Sequence, residues 1–239
     1  MTEPLDAFLT RRTGLPWAEV RRLIQHRRVQ VNGIVCKHYH RQLDGSERIE
    51  VDGALINDGE DASILICHKP AGVACSHAPE DAPLIYDLVP EAWRHPDLQT
   101  VGRLDRDTTG LILLTIDGTF TQQVVAPERK RWKRYHIRYR GTLIDDAVSR
   151  VAEGLLLADE PQPCLPGRLT VLDADGGDGA ATMELCEGRF HQVKRMMLTL
   201  GGLVVALHRD RIGGLDLPVD LNLGQMRTLS HDERLRVLE

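Results

Sequence analysis

Residues 101–118 read VGRLDRDTTGLILLTIDG. Two aspartates, Asp105 and Asp107, stand in a Thr/Gly loop that runs straight into Leu111-Ile112-Leu113-Leu114. Four consecutive large aliphatics bounded by turn residues fit a buried strand that fixes the loop rigidly. LQTVGRLD, before the loop, reads as a second strand, so the aspartates sit between two buried elements. The D-x-D-x-T-G wording opens like a calcium loop, but such a loop needs a bidentate Glu at its twelfth position. Counted from Asp105 that position is Ile116, which excludes calcium. Flanked by Arg103 and Arg106, an aspartate here is expected to be held ionised and to act as nucleophile, general base or anchor. The same residues also fit a plain Asx turn.

The flanking chain divides in two. Residues 5–28 read as two short helices, with Leu5, Phe8 and Leu9 on one apolar face and Trp17, Val20, Leu23 and Ile24 on the next. Asn32-Gly33 between β-branched runs signals a hairpin, and ERIEVDG adds a strand. Gly- and Asp-rich residues 53–63 read as a linker. The boundaries are therefore 1–58 for a small helix-helix-hairpin module and 59–239 for a larger mixed domain. In the latter, SILICHKP, GLILLTID, YHIRYRG, GRLTVL, ATMELCEG and LVVALHRDRIGG are strand-like. IDDAVSRVAEG, FHQVKRMMLTLGG and SHDERLRVL are helical, with Asp145 expected as one N-cap and Ser-x-x-Glu as a capping box. Strands and helices intersperse without regular βαβ units, so the class is α+β.

With 42% hydrophobic but only 4% aromatic residues, the core is expected to be aliphatic. No apolar run approaches the ~18 residues of a membrane span, and MTEPLDAFLTRR lacks the apolar region of a secretory signal. Five scattered cysteines without a C-x-x-C pair favour reduced thiols in a cytoplasmic protein. Neither Cys36 with His38 and His40 nor Cys67-His68 with Cys75 and His77 has the paired spacing of a structural zinc site, so no metal is expected.

The net charge of −5 is unevenly spread. Residues 10–43 hold eight Lys/Arg against Glu19 alone, and residues 127–142 hold seven against Glu128 alone. Basic patches on a mildly acidic chain suit phosphate contact, although charge runs also serve as solvated faces. In RKRWKRYHIRYRG the cations interleave with Trp132, Tyr135 and Tyr139, a pattern suited to RNA backbone and stacked bases. Alternation puts Tyr135 on the inward face with Ile137, where a core tyrosine is the plainer reading. In EGRFHQVKRMM, His191, Lys194 and Arg195 face away from Val193, Met196 and Met197. Cations at a helix N-terminus oppose its dipole, which favours an anionic partner over a merely amphipathic surface helix.

Taken in order, HKPAGVACS, GRLDRDTTGLILLT, KRYHI and EGRFHQVKRMM resemble the motifs of the RsuA branch of the pseudouridine synthases, and the N-terminal module resembles an S4-type RNA-binding domain. The resemblance covers essentially the whole chain. It implies that Asp105 is the essential aspartate that attacks the target nucleotide, that Tyr135 stacks on the target base, and that Lys194 pairs with the catalytic carboxylate. It implies RNA-binding roles for Arg103, Arg189, Gln192, Lys133 and, in the S4-like module, Arg21, Arg22, Arg27 and Arg28. Asp107, Thr108 and Thr109 remain turn residues, and His68, where relatives often have Asn, is expected at the edge of the site. No cofactor is implied. LHRDRIGG, GLLLADE and the absence of a long tail after Glu239 favour small-subunit ribosomal RNA, or its assembling ribonucleoprotein, as partner of a monomeric enzyme. A large-subunit enzyme of the same branch and a non-catalytic ribosome assembly factor are the alternatives.

Overall fold

The computed structural model describes residues 3–44, 47–56, 64–175 and 177–239. The N-terminal unit begins with β1 (Glu3–Pro4), α1 (Leu5–Thr13) and α2 (Trp17–Gln25), followed by β2 (Val29–Val31), β3 (Ile34–Val35), β4 (Gln42–Leu43), β5 (Ile49–Val51) and β6 (Ala54–Leu55). The small sheet has the order β3-β2-β5-β6, while β1 pairs with β4. Both tight hairpins depend on left-handed turn residues: Asn32-Gly33 have φ of 54° and 77°, and Asp52-Gly53 have 52° and 78°. Two positive φ angles give a turn whose twist matches that of the strands. Leu5, Leu9, Val20, Ile24, Val29, Val31 and Ile49 close a core of their own. Of the linker expected over 53–63, Gly53 closes the second hairpin and Ala54–Leu55 pair with β5 as a strand, because the Asp52-Gly53 turn folds the chain back; residues 57–63 lie outside the described residues.

The larger unit comprises β7 (Ile64–Lys69), β8 (Gln99–Thr100), β9 (Thr109–Thr115), α3 (Gly118–Val125), β10 (Lys133–Arg140), α4 (Ala147–Glu153), β11 (Arg168–Asp175), β12 (Asp178–Leu185), α5 (Gln192–Thr199), β13 (Leu203–Ile212), β14 (Leu215–Asp216), β15 (Met226–Thr228) and α6 (His231–Val237). Its sheet runs β11-β12-β10-β13-β9-β7-β15, with β14 beside β13 and β8 beside β9. Every pairing is antiparallel except the short parallel contact between β13 and β9, where His208 and Arg209 face Thr109 and Gly110. The fold is α+β, mainly antiparallel.

The aliphatic run on β9 has the double burial that its composition requires. Ile112 and Leu114 join Leu65, Cys67, Ile137, Met183 and Met196 on one face of the sheet. Leu111 and Leu113 join Ile64, Ile66, Phe120, Val124 and Val237 on the other. Each such side chain contributes about 1.5–3 kcal/mol by leaving water, so the strand is locked from both sides. Gly110 marks where it meets β13. A Cβ there would lie 2.1 Å from the Arg209 carbonyl oxygen, and its φ is +113°, so both space and conformation require glycine.

The two units touch through α2. The Trp17 indole donates to Asp6 Oδ2 at 2.9 Å and meets the His95 ring edge-on at 5.0 Å. Three local expectations need correction. LQTVGRLD is only a two-residue strand, because Gly102, at φ 72°, turns the chain away and sends Arg103 outward. The N-cap of α4 is Asp146, not Asp145, and its carboxylate binds Arg150 at 2.9 Å instead of capping. The helix expected from Phe190 begins at Gln192.

The capping box at Ser230 forms as expected. Glu233 also accepts both Arg227 amino groups, at 2.8 and 2.7 Å, tying α6 to β15. The Arg227 bond, with burial opposing it, draws the Glu233 carboxyl from 4.5 down to about 2. The stabilisation is thus complete above pH 4.5 and is lost as pH falls toward 2. Urea denaturation from neutral pH down to pH ~2 is expected to show Glu233→Gln less stable than wild type at neutral pH and nearly equal to it at the acid end.

Candidate active site

The centre of the larger unit is a cavity of about 580 Å³, within the ~300–1,000 Å³ usual for small-ligand sites. The loop of residues 102–108 forms one wall, β10 and β13 form the floor, and residues 187–194 form the facing wall.

The loop is held by a buried ammonium. Lys69, at the end of β7, has no exposed surface. Its Nζ donates to the carbonyls of Pro70 at 3.0 Å, Arg106 at 3.1 Å and Thr108 at 2.8 Å. Three donors matched to three acceptors offset much of the cost of burying the charge. Burial still pushes the Lys69 pKa down, while Asp107 and Asp105 pull it upward. The carbonyls it holds belong to the residues one and three places past Asp105, so Lys69 sets the position of that carboxylate.

Asp105 is one-quarter exposed at the cavity wall and faces an ammonium and an imidazole from motif 187–197. Lys194 Nζ lies 3.0 Å from Oδ2, and His191 Nε2 lies 3.4 Å from Oδ1. Lys194 also binds Asp107 at 2.6 Å. Burial opposes the Lys194 charge, but the bonds to Asp107 and Asp105 outweigh it and its pKa is raised. Asp107 is therefore more than a turn residue: it shares the Lys194 cation. Arg106 is not a partner of Asp105, because its guanidinium is turned to the carbonyls of Asp81 and Ala82 at 2.5 and 2.7 Å. Arg103 is exposed on the cavity rim with no ion pair among the described residues.

The facing wall is assembled by its own motif. Buried Glu187 accepts Gln192 Nε2 at 2.6 Å, Arg189 Nε at 3.2 Å and the Leu165 N–H at 2.9 Å. Gln192 Oε1 accepts the Arg189 N–H at 2.9 Å. Arg189 reaches on to the carbonyls of Gln162 and Pro163. Gln192 is thus buried with both ends of its amide bonded, and Arg189 braces residues 160–163. Neither side chain is presented to an RNA backbone as expected; both build the wall. Arg195 turns away to Glu160 at 2.9 Å. His191 adopts φ 47°, ψ 34°, uncommon for a residue with a Cβ. Its ring stacks on exposed Phe190 at 3.9 Å, at the cavity mouth.

On the floor, Tyr135 is 8% exposed and lines the cavity, so it is both packed in the core and open to a bound group. Lys133 shares its face and is 7% exposed, with Nζ on the Arg131 carbonyl at 3.2 Å. That burial removes it from the outer surface where phosphates would lie. His68 is outside the cavity lining; its Nδ1 meets the Leu221 carbonyl oxygen at 2.9 Å and its ring meets His208 edge-on. In the N-terminal unit Arg22 and Arg27 are exposed. Arg28 Nε is bound to Asp52 at 2.7 Å, and the Arg21 guanidinium lies between the Trp17 and Tyr39 rings, 4.6 and 4.5 Å from their centroids. Those two arginines have structural work, unlike their neighbours.

Lys69, Glu187 and Arg209 belong to the site and were not among the residues expected. A signal for Lys69 and Arg209 exists in strand parity. Lys69 falls on the face of Leu65 and Cys67, and Arg209 on that of Leu207. Among the described residues no group of three or more His, Cys, Asp or Glu is arranged to hold a metal ion, and no helix is long and apolar enough to cross a membrane.

Comparison with known proteins defines the class: an RNA-modifying isomerase with an attached S4 domain. The model of the RNA pseudouridylate synthase family matches residues 63–199, and that of the S4 domain matches residues 3–49. The ribosomal small subunit pseudouridine synthase A of Pasteurella multocida (strain Pm70) is 36% identical over 231 residues, covering 96% of this chain and 97% of that protein. The protein of the same name from Escherichia coli (strain K12) is 33% identical, with the same coverage. A solved structure described as a pseudouridylate synthase superposes with a TM-score of 0.66 at 33% identity, covering 98% of this chain and 99% of that one. The chain belongs to the RNA pseudouridylate synthase family.

Replacing Lys69 by Met leaves the Pro70 and Thr108 carbonyls without their donor, while the Arg106 carbonyl keeps the Gly72 N–H at 2.8 Å. At about 1–3 kcal/mol per orphaned buried acceptor, Lys69→Met is expected to lower the unfolding free energy by roughly 2 kcal/mol or more in urea denaturation. A loss below about 1 kcal/mol would show that the loop is held by something else.

Proposed function

We propose that this protein converts a uridine of small-subunit ribosomal RNA to pseudouridine, with Asp105 as the nucleophile. The observation that carries the reading is the placement of Asp105: a carboxylate fixed from behind by the Lys69-anchored loop, aligned by Lys194 and His191, and opening on a cavity floored by Tyr135. A uridine must leave its stack to reach a carboxylate so placed. The Tyr135 ring then offers it a face, and Lys194 keeps Asp105 oriented for attack. The base detaches, turns, and rejoins the ribose through carbon 5. The reaction is an isomerisation, so it needs no redox or group-transfer cofactor. Small-subunit RNA as substrate rests on the likeness to relatives named for that subunit over nearly their whole length.

In this reading residues 1–58 hold the RNA and residues 59–239 carry out the chemistry, in a monomer acting in the cytoplasm on naked RNA or an assembling ribonucleoprotein. Arg103 at the cavity rim and Arg22 and Arg27 on the outer module are the arginines placed for phosphate contact.

A pseudouridine map of both ribosomal RNAs from a deletion strain tests the substrate. One modification missing from the small subunit, restored by the wild-type gene and not by Asp105→Asn, is the expected result. Loss confined to the large subunit would reassign the substrate, and no loss in either would favour an assembly role. For the outer module, Arg22→Gln with Arg27→Gln is expected to weaken RNA binding and to reduce its log–log salt slope by about 1–2, read by binding titrations at several salt concentrations.

A further inference from the structure

Arg209 is among the largest fully buried side chains of the protein and is 2% exposed. Its Nε donates to the Leu111 carbonyl at 2.9 Å, beneath the Asp105 loop. Its Nη2, also buried, has no hydrogen-bond partner. An orphaned guanidinium N–H in the interior is costly unless another group satisfies it during function. Arg209 lines the active-site cavity, and its guanidinium carbon is 6.0 Å from the centre of the Tyr135 ring. Lys133, on the same face of β10 as Tyr135, lines the same floor. Among the described residues its Nζ donates one hydrogen bond, to the Arg131 carbonyl, so donor capacity remains. No carboxylate is paired with either cation among the described residues. The nearest acids of the cavity are already engaged: Asp105 with Lys194 and His191, and Glu187 with Gln192 and Arg189. Two buried cations without a counter-ion, beside the ring on which the base would rest, call for an anion from outside the protein.

We propose that Lys133 and Arg209 form an anion-stabilising floor that bears the negative charge developing on uracil when its bond to the ribose breaks. The inference deepens the proposed reaction and rests on it. When an Asp105 oxygen bonds to C1′ and the C1′–N1 bond breaks, the electron pair leaves with N1 and spreads over O2 and O4. After rotation C5 bonds to C1′ and the Asp105–C1′ bond breaks, returning the free carboxylate; the hydrogen of C5 departs as a proton and N1 takes up a proton, so atoms and charge balance with no other reactant. Attack by Asp105 at C6 instead would place charge first on O4, so the floor serves either course. Donors aimed at charge that appears only during reaction accelerate it far more than they strengthen binding. Burial, reinforced by Arg209, draws the Lys133 ammonium down to about 8. Of the groups around it, Arg209 from β13 repels its charge and Cys186 beyond β12 favours it. Asp105, Glu187, Arg189 and Lys194 lie on the walls of the same cavity. Lys133 is therefore charged below pH about 8 and loses its charge as pH rises through that value.

The test is single-turnover release of tritium from carbon 5 of uridine in saturating small-subunit RNA, followed across pH, with RNA affinity measured alongside. Lys133→Met and Arg209→Gln are expected to slow release about 100-fold, the scale of losing one charge-stabilising donor, with affinity changed less than about threefold. Lys133→Arg is expected to keep release at neutral pH and to move the alkaline fall of the rate, near pH 8 in wild type, to higher pH. A merely structural lysine would not move it. Thermal melting identifies any variant that fails to fold; if Arg209→Gln does, the two Lys133 variants decide. Release by Lys133→Met within about threefold of wild type, a loss confined to affinity, or an unmoved alkaline limb in Lys133→Arg would overturn the floor while leaving the proposed reaction standing. Silence of wild type on both ribosomal RNAs would overturn the reaction and the floor with it.

Discussion

A single buried ammonium underlies the geometry of the site. Lys69 donates three hydrogen bonds to carbonyls at the end of its own strand and in the Asp105 loop, and no water reaches it to take their place. A short loop with two aspartates, two arginines and two threonines has many ways to satisfy its polar groups locally. The ammonium selects one of them, because any other would leave a charge unpaired in the interior. The strand that follows is gripped on both faces by apolar side chains. The loop is thus fixed at both ends, and Asp105 projects from a rigid base, as a reacting group must.

The facing wall shows the same economy. Lys194 is held by two carboxylates of the loop, so the bond that orients Asp105 also joins the two walls of the cavity. Glu187, Arg189 and Gln192 satisfy one another behind it. This closed network fixes the start of α5 and lets His191 take its left-handed conformation. A chain with net charge −5 can still present a cationic cavity, because the acids that would neutralise it are already committed to structural partners.

Much of this was legible in the residues. The buried strand at Leu111–Leu114, the hairpin turn at Asn32-Gly33 and the capping box at Ser230 follow from local rules of pattern and turn chemistry. The roles of motif residues were harder to read, because motif wording does not say which way a side chain points. Arg189 and Gln192 resemble RNA contacts in a cationic string, yet they turn inward to the buried Glu187 carboxylate. Lys133 shares the inward parity of Tyr135, and the same alternation marks Lys69 and Arg209. A charged residue at an inward position of a buried strand is a signal of site architecture that hydropathy alone passes over. The pairing of Lys194 with Asp107 joins residues 87 positions apart, and only the assembled sheet brings them together.

The measurement that bears most directly on the central claim is tritium release from carbon 5 of uridine by the purified protein and by Asp105→Asn. Small-subunit RNA would be supplied both free and as ribonucleoprotein. The account predicts release by wild type and none above background by the variant, whose fold and RNA affinity remain those of wild type. Release by Asp105→Asn at a rate close to wild type would contradict it, because the carboxylate that the whole loop is built to position would then take no part in the chemistry.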